Sequence, residues 1–385
     1  MRLKKFFPLV RDFFKRADLF LFIMSVICAV YGIIMIASAT QSYTNGSAQY
    51  VIVQTLALGL GVLLFIGMTI IDVDIFAQHW GILYILSALL LGALLIFGGQ
   101  SETGNNGWLR FFGIGIQPTE IVKLAFIIVL AKQLAYLKEY KNLNSVASVA
   151  QIVGHFILMF GVILFTAQDL GSALVYFFIF AVMLFMAGVK IYWFVIGAAA
   201  IAAVIPFMWT YMLSEYQQQR ILAPYDSSID PNNTGINWQQ YQAKIALASG
   251  QLTGEGYGQG TQSQSSAIPV KHSDFIFAVI GEELGLIGAC LVLLLLMIIV
   301  VRCVQVGLRS GNTMSMLVCM GVASTVVFQT FENVGMCIGI APVVGITLPF
   351  FSYGGSSLFS MFAAMGLVSG VKYRPKPMRS SLYGR

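Results

Sequence analysis

Charged residues are scarce in this chain. Only 10% of its 385 residues are Asp, Glu, Lys or Arg, whereas 58% are hydrophobic, and the mean hydropathy is +0.83. A soluble globular domain typically carries about 25% charged residues. The composition therefore excludes an ordinary soluble enzyme, a disordered protein and a nucleic-acid-binding domain.

Cysteine and histidine are also scarce. The chain has five cysteines, none of them close to another, and three histidines. No group of His, Cys and acidic residues has the spacing of metal ligands, so the sequence indicates neither a disulfide framework nor a zinc site. We interpret the cysteines as small core residues; they are Cys28, Cys290, Cys303, Cys319 and Cys337.

Long hydrophobic runs, in contrast, fill most of the sequence. A helix of roughly 20 apolar residues crosses a bilayer core of about 30 Å, and runs of this kind predict ten membrane-spanning helices. The first run is too long, and begins too late, for a cleaved signal peptide. We therefore predict an all-α polytopic membrane protein with a single membrane domain over 19–371. The predicted spans are 19–38, 50–71, 79–98, 119–136, 148–167, 173–189, 191–212, 275–301, 313–338 and 357–371.

The distribution of lysine and arginine predicts the orientation. These residues are enriched in the cytoplasmic segments of membrane proteins, and both ends of the chain, 1–18 and 372–385, are basic. With both ends in the cytoplasm, 17 basic residues lie inside and four outside, which explains the net charge of +6 without a nucleic-acid partner. The connections 99–118, 213–273 and 339–356 then face outward. The basic residues of the two ends are Arg2, Lys4, Lys5, Arg11, Lys15, Arg16, Lys372, Arg374, Lys376, Arg379 and Arg385.

Ionisable groups in or beside an apolar span are costly and are therefore functional candidates. Glu120 and Lys123 begin the fourth predicted span, and their spacing of three residues places them on one helix face. They form either a structural ion pair, which we favour, or part of a polar cavity for an anionic headgroup. Asp169 lies in a short turn between two spans and is either a helix N-cap or a site residue.

Asp274 is the most suggestive candidate. It lies where the long polar connection meets an uninterrupted apolar helix, so one side meets water and the other hydrocarbon, a setting that raises the pKa of a carboxyl group. A capping aspartate has the same setting, and these physical arguments alone leave both roles open. Glu282 lies about 12 Å further along the helix, and we predict a structural role for it and for Glu283.

Two outward segments are rich in glycine. Segment 254–260 does not follow a strand and does not fit a dinucleotide-binding loop; its alternate glycines indicate a mobile loop or one that a substrate approaches closely. Segment 342–357 is apolar but interrupted by Pro and Gly. Irregular backbone at membrane depth is tolerated only against protein or a wet cavity. This second segment is therefore predicted to line a site, with a re-entrant plug as the alternative.

Six motifs that occur together and in order resemble the SEDS family (shape, elongation, division and sporulation). The resemblance extends from about residue 18 to residue 371, and the stretch 252–262 resembles the RodA branch of the family more than the FtsW branch. The motifs are Trp108-Leu109-Arg110, Gln117-Pro118-Thr119-Glu120, Asp169-Leu170-Gly171, Gly250-Gln251-Leu252-Thr253-Gly254, His272-Ser273-Asp274-Phe275-Ile276-Phe277-Ala278 with Glu282-Glu283-Leu284-Gly285, and Leu348-Pro349-Phe350-Phe351-Ser352-Tyr353-Gly354-Gly355-Ser356-Ser357.

The resemblance implies a ten-helix peptidoglycan glycosyltransferase of the bacterial cytoplasmic membrane. Such an enzyme polymerises lipid II, an undecaprenyl-pyrophosphate disaccharide-pentapeptide, on the outer face of that membrane, with a class B penicillin-binding transpeptidase as partner. A RodA-like member serves cell elongation. By this resemblance Asp274 matches the family's essential catalytic acid. The other matched polar positions are Trp108, Arg110, Glu120, Lys123, Asp169, Arg220 and Gln242.

The implied reaction assigns roles to these residues. The donor sugar is α-linked and the glycan product is β-1,4-linked, so a single inversion implies direct displacement with Asp274 as the general base. The departing pyrophosphate requires nearby positive charge. A divalent cation, Mg²⁺ or Mn²⁺ held by Asp169 or another acid, is an alternative source of that charge, although no ligand spacing supports it. The candidate cationic side chains are Arg110, Arg220, Lys123 and Lys271.

Two other functions compete with the glycosyltransferase. One is a lipid II flippase or transporter, for which charged residues are expected deep in the bilayer. The other is a non-catalytic scaffold that positions a transpeptidase. The polar candidates of this sequence cluster toward the outward side, and this distribution favours the enzyme.

Overall fold

Helices dominate the computed structural model, which describes residues 13–43, 46–98, 107–111, 114–211, 213–265 and 267–374. Two short strands, β1 (Leu109–Phe111) and β2 (Ile114–Ile116), form an antiparallel hairpin. The helices are α1 (Leu19–Ala39), α2 (Ala48–Ile70), α3 (Val73–Gln78), α4 (Trp80–Phe97), α5 (Pro118–Tyr140), α6 (Val146–Ala167), α7 (Leu170–Ala187), α8 (Ile191–Tyr211), α9 (Glu215–Leu222), α10 (Trp238–Ser249), α11 (Ile276–Arg309), α12 (Thr313–Ile338) and α13 (Gly355–Tyr373).

Parts of the predicted cytoplasmic ends and of the connection 99–118 lie outside the described residues. The described part of the basic ends begins at residue 13 and stops at residue 374. The terminal basic residues outside it are Arg2, Lys4, Lys5, Arg11, Lys376, Arg379 and Arg385.

The protein is an all-α, multi-pass membrane protein, as the sequence predicted. Among the described residues, eight helices are long and apolar enough to cross a membrane, namely α1, α2, α4, α6, α7, α8, α11 and α12. The two other predicted spans also coincide with helices, α5 and α13. Helix α5 carries charged side chains and α13 many small and polar ones, so neither is as apolar as the eight. The count of ten spans stays a prediction.

Helix α12 lies at the centre of the bundle. It is the most deeply buried of the eight apolar helices and packs against α5, α7, α10, α11 and α13.

Helices α2 and α13 pack closely because small residues lie between them: a Cβ added to Gly366 would lie 2.7 Å from the carbonyl oxygen of Phe65. Without a hydrophobic driving force between helices in lipid, such close packing stabilises their association. Four cysteines are buried as predicted, whereas Cys290 is exposed.

The long connection 213–273, which the basic residues predict to face outward, is folded rather than open over its described residues. It contains helices α9 and α10, which the hydrophobic pattern did not predict because both are short and largely polar. The carboxylate of Glu282 accepts hydrogen bonds from the backbone N–H groups of Gln262 (2.6 Å) and Ser263 (2.7 Å). The carboxylate of Glu283 accepts from the hydroxyl of Ser38 on α1 at 2.6 Å and from the hydroxyl of Ser263 in the connection at 3.0 Å. Both acids therefore fasten the connection to the membrane bundle, which confirms their predicted structural role.

The glycine-rich segment 254–260 packs against the backbone of α11, whereas the sequence predicted a mobile or substrate-facing loop. The backbone N–H groups of Glu255 and Gly256 donate to the carbonyls of Glu282 (2.9 Å) and Glu283 (3.0 Å). Gly285 interrupts the helical geometry of α11 with a φ of 68°, and the backbone of Gly254 lies directly against it. A side chain at either glycine would prevent this contact between two backbones.

We predict that Gly254→Ala lowers the stability of the protein by ~1–3 kcal/mol, because its Cβ would overlap the carbonyl of Glu283 and overpacking costs about this much. The φ of +83° adds strain. Thermal unfolding of the detergent-purified protein measures the loss. The matched control is Gly154→Ala in α6, where a Cβ meets no atom within 4 Å; an equal loss of stability in both variants would contradict the packing argument.

Candidate active site

Asp274 lies just before α11, beside the irregular segment that connects α12 to α13. A Cβ added to Gly345 would lie 3.4 Å from Oδ2 of Asp274, so the carboxylate faces this glycine. The side-chain amide of Asn333, on α12, donates to the backbone carbonyl of Asp274 and to that of Ile346, both at 2.8 Å. One side chain thus holds the acid and the irregular segment together.

Further hydrogen bonds join the same two segments. The hydroxyl of Ser352 donates to the carbonyl of Ser273 (2.6 Å) and accepts from the N–H of Leu348 (2.7 Å). The N–H of Tyr353 donates to the carbonyl of His272 at 2.9 Å. The Pro- and Gly-interrupted segment therefore lies along the residues that precede α11, and its irregular backbone is satisfied by protein groups.

Asp169 caps α7 and lies beside the same irregular segment. Its Oδ1 accepts from the N–H of Ser172 (3.0 Å), and its Oδ2 accepts from the Ser172 hydroxyl (2.6 Å) and from the amide of Gln117 (3.0 Å). A Cβ added to Gly171 would lie 2.8 Å from the carbonyl oxygen of Val344. Asp169 is therefore the N-cap of α7, one of the two roles predicted for it. The first turn of α7 and Asp274 both contact the irregular segment within residues 344–346.

The electrostatic setting of Asp274 fits a group that exchanges protons. Burial raises the pKa of Asp274 from 3.8 to about 6, the Asp169 carboxylate contributes to the rise, and the Ser273 hydroxyl and the Arg220 guanidinium oppose it. Arg220 comes from the last turn of α9. A carboxyl group with this pKa is mostly ionised at neutral pH yet basic enough to accept a proton efficiently.

Glu120 and Lys123 form a buried ion pair at the start of α5. The Lys123 ammonium lies 2.8 Å from Oε1 of Glu120, and the two residues are 2% and 5% exposed, respectively. The Glu120 carboxylate also accepts from Gln329 (3.4 Å) and Ser360 (3.3 Å). The pair therefore joins α5 to α12 and α13, the arrangement expected of the structural alternative.

Hydroxyl contacts also extend from the first turn of α5 to Asp169. The Thr119 hydroxyl lies 3.2 Å from that of Ser172, which bonds Asp169, and Thr119 precedes Glu120 in α5. The first turn of α5, which carries Glu120, therefore contacts the first turn of α7, which Asp169 caps.

Lys271 is held elsewhere, although the sequence made it a candidate for the pyrophosphate. It is 1% exposed, and its ammonium donates to the Ser42 hydroxyl (2.8 Å) and to the carbonyls of Ser265 (2.9 Å) and Ser263. The Tyr43 ring lies 5.2 Å away. These contacts fasten the outward connection to the end of α1 and engage all the donors of the ammonium group.

The remaining candidates lie on separate outward elements. The Trp108 ring packs on Gly115 across the hairpin, where a Cβ would lie 3.1 Å from it. Arg110 is exposed on β1, and Gln242 is buried on α10.

The described residues do not fit a divalent-cation site. No group of three or more His, Cys, Asp and Glu residues in this part of the chain is arranged to hold a metal ion. Both carboxylate oxygens of Asp169 already accept hydrogen bonds from Ser172 or Gln117. The structure therefore assigns no residue to a cation.

The comparisons with known proteins agree with the motifs. The family model of the FtsW, RodA and SpoVE cell cycle proteins matches residues 18–376. The chain belongs to this family. The peptidoglycan glycosyltransferase MrdB of Escherichia coli K12 is 32% identical over 328 residues, which cover 84% of this chain and 86% of MrdB. The probable peptidoglycan glycosyltransferase FtsW of Geobacter metallireducens is also 32% identical, over 370 residues that cover 94% of this chain and 96% of that protein.

A solved structure is similar over nearly the whole chain. A chain in the structure of a peptidoglycan synthase complex that coordinates polymerization and crosslinking aligns with a TM-score of 0.76 at 28% identity. The alignment covers 92% of this chain and 97% of the other. The fold of this SEDS protein is therefore that of a subunit found in such a complex. Because MrdB and FtsW are equally similar to it, the similarity does not decide the branch of the family.

The amides and hydroxyls that position the acids of this SEDS protein were not among the predicted site residues. Asn333 and Gln329 lie in the outer half of the apolar helix α12, and buried amides in a membrane helix are candidates by the same argument that singled out Glu120. That signal was present in the sequence. The hydroxyl partners gave no signal, because serine and threonine occur throughout membrane helices without special roles. The missed side chains are Gln117, Ser172, Gln329, Asn333, Ser352 and Ser360.

We predict that Lys123→Met destabilises the protein by ~3–5 kcal/mol, because it leaves the carboxylate of Glu120 buried without its cation. The double variant Glu120→Gln/Lys123→Met removes both charges and recovers most of this loss. Thermal unfolding of the two purified variants and of wild type measures the coupling. If Lys123→Met unfolds like wild type but loses activity, the pair belongs to a substrate site and the structural interpretation is wrong.

Proposed function

We propose that this SEDS protein is a peptidoglycan glycosyltransferase in which the carboxylate of Asp274 is the general base. The observation that carries the proposal is the position of Asp274 beside the irregular segment at the outer end of α11, where burial raises the pKa of its carboxyl group to about 6. Its relatives MrdB and FtsW are named peptidoglycan glycosyltransferases. The proposed substrate is lipid II, polymerised on the outer face of the bacterial cytoplasmic membrane.

The proposed step is a direct displacement with one inversion. Asp274 accepts the proton of the acceptor's 4-hydroxyl while that oxygen bonds to the anomeric carbon of the donor. The bond from this carbon to undecaprenyl pyrophosphate breaks, and the pyrophosphate leaves with the electron pair. A positioned base typically contributes about 10²–10⁴-fold to such a rate. Solvent then takes the proton from Asp274.

The departing diphosphate is stabilised by arginine side chains. We propose Arg220, whose charge acts on Asp274, and Arg110, which is exposed on the outward hairpin. Guanidinium groups match phosphate oxygens in a bidentate manner. We give Lys123 and Lys271 structural roles, since each is buried against its own partners. Trp108, Asp169 and Gln242 remain candidates for contacts with the sugar and peptide parts of lipid II.

We also propose the organisation and partner of the protein. One membrane domain extends over 19–371, with basic cytoplasmic segments at 1–18 and 372–385. The partner is a class B penicillin-binding transpeptidase, supported by the similarity to a chain of a peptidoglycan synthase complex. The stretch 252–262 supports a RodA-like role in cell elongation. A flippase is less well supported, because the buried charges of α5 are paired with each other.

Asp274→Asn is expected to lower glycan polymerisation by about 10²-fold or more, because the amide cannot accept the proton. The assay uses purified protein with its partner and lipid II, and reads the polymer on a glycan gel. Asp226→Asn, at an exposed aspartate of the outward connection, is the matched control and retains activity. Polymer at the wild-type level from Asp274→Asn would remove the base role, and no polymer from wild type would favour the flippase or the scaffold.

The rate of polymerisation is predicted to rise with pH through a midpoint of about 6, because only the ionised form of Asp274 accepts a proton. Arg220→Gln shifts this midpoint to higher pH, since the guanidinium group lowers the pKa of Asp274. Initial rates across pH, with Arg16→Gln at an exposed position as control, measure the shift. An unchanged midpoint in Arg220→Gln would show that the charge of Arg220 does not lower the pKa of Asp274.

A further inference from the structure

A groove lies at the cytoplasmic ends of α1 and α11, on the opposite side of the membrane from Asp274. Its volume is about 410 Å³, within the usual range of about 300–1,000 Å³ for ligand pockets. Its apolar walls are open to lipid, since Phe20 is 50% exposed and Met297 is 61% exposed. The lining residues are Phe20, Met297, Ile298, Val301, Arg302 and Gln305.

The polar end of the groove lies at the inner boundary of the hydrocarbon. Helix α1 has 21 residues, so it is about 31 Å long at ~1.5 Å per residue, which matches a hydrocarbon core of about 30 Å. Asp18 caps the cytoplasmic end of α1, and Nε of Arg302 donates to its Oδ2 at 2.8 Å. Arg302 therefore lies at the level of the inner lipid headgroups.

The polar end carries an excess of positive charge. The Asp18 carboxylate is fully buried and has two cationic partners, Arg302 at 2.8 Å and Lys372 at 3.6 Å. The Arg302 side chain is 20% exposed and stays accessible from the groove. Gln305 and Arg309 are exposed and follow Arg302 on one face of α11, at i+3 and i+7. One carboxylate thus neutralises only part of the basic charge.

We propose that this groove binds an anionic phospholipid of the inner leaflet. Its phosphate accepts hydrogen bonds from the guanidinium group of Arg302 and the amide of Gln305, and an acyl chain lies along Phe20 and Val301. Basic pockets between membrane helices on the cytoplasmic side suit anionic lipid headgroups. A zwitterionic lipid fits less well, because the acid at the groove, Asp18, is buried behind Arg302 and cannot pair with a headgroup amine.

The test measures lipid binding to the full-length, delipidated protein in detergent. Phosphatidylglycerol and phosphatidylcholine are titrated separately, and bound lipids are counted by native mass spectrometry. We expect a phosphatidylglycerol site that phosphatidylcholine does not fill. Gln305→Glu places a negative charge in the groove without removing an ion pair, and Arg302→Gln removes the guanidinium group. Each variant is expected to weaken phosphatidylglycerol binding by about fivefold or more, the effect of one charge near a membrane surface.

The matched control is Lys138→Gln, at an exposed lysine in the last turn of α5, which removes a cytoplasmic cation outside the groove and leaves the affinity unchanged. Gln305→Glu keeps the test valid if Arg302→Gln fails to fold. Equal affinities of wild type and Gln305→Glu for phosphatidylglycerol, or equal binding of the two lipids by wild type, would overturn the proposal.

Discussion

The side-chain amide of Asn333 is the interaction on which the candidate active site depends. Its two N–H groups satisfy two backbone carbonyls, those of Asp274 and Ile346, which lie in irregular segments at the outer end of the bundle. At this depth the backbone has little water to bond, so such carbonyls require donors from the protein. Asn333 supplies both donors from α12, the most deeply buried of the eight apolar helices, and it thereby fixes the distance between Asp274 and the segment around Gly345. In this position burial raises the pKa of Asp274.

The acidic residues in the outward half of the protein differ in how many hydrogen bonds and cations stabilise their carboxylates. Glu282 receives two backbone N–H groups, and Glu120 is paired with Lys123. Asp169 receives hydrogen bonds on both oxygens. Among the described groups that act on Asp274, the Ser273 hydroxyl and the charge of Arg220 stabilise its ionised form, and burial outweighs both. Carboxylates that are saturated with donors hold the fold together, whereas one that burial leaves basic is suited to accept a proton from a substrate.

Features that depend on local sequence were predictable, and features that depend on distant contacts were not. Apolar runs predicted the membrane helices, and the spacing of Glu120 and Lys123 predicted their pairing. The junction of a polar connection with an apolar helix singled out Asp274 before any contact was known. The attachment by Asn333 joins residues 59 positions apart in the chain, and no periodicity records such a pair. For the same reason the burial of Lys271 was missed, since its partners come from the end of α1 and from the outward connection. The glycines near residue 254 were misread because the helix they contact lies later in the chain.

The two sides of the membrane carry different chemistry in this account. On the outward side we propose a proton acceptor and the arginines that stabilise a departing diphosphate, and on the inward side a basic groove for lipid. The proposed chemistry depends on the ionisation of the Asp274 carboxyl group, and infrared difference spectroscopy during a pH titration follows that ionisation. Wild type minus Asp274→Asn is predicted to show a protonated-carboxyl band with a midpoint at about pH 6, equal to that of the polymerisation rate. Titrations of the two proteins that superimpose through this range would contradict the account.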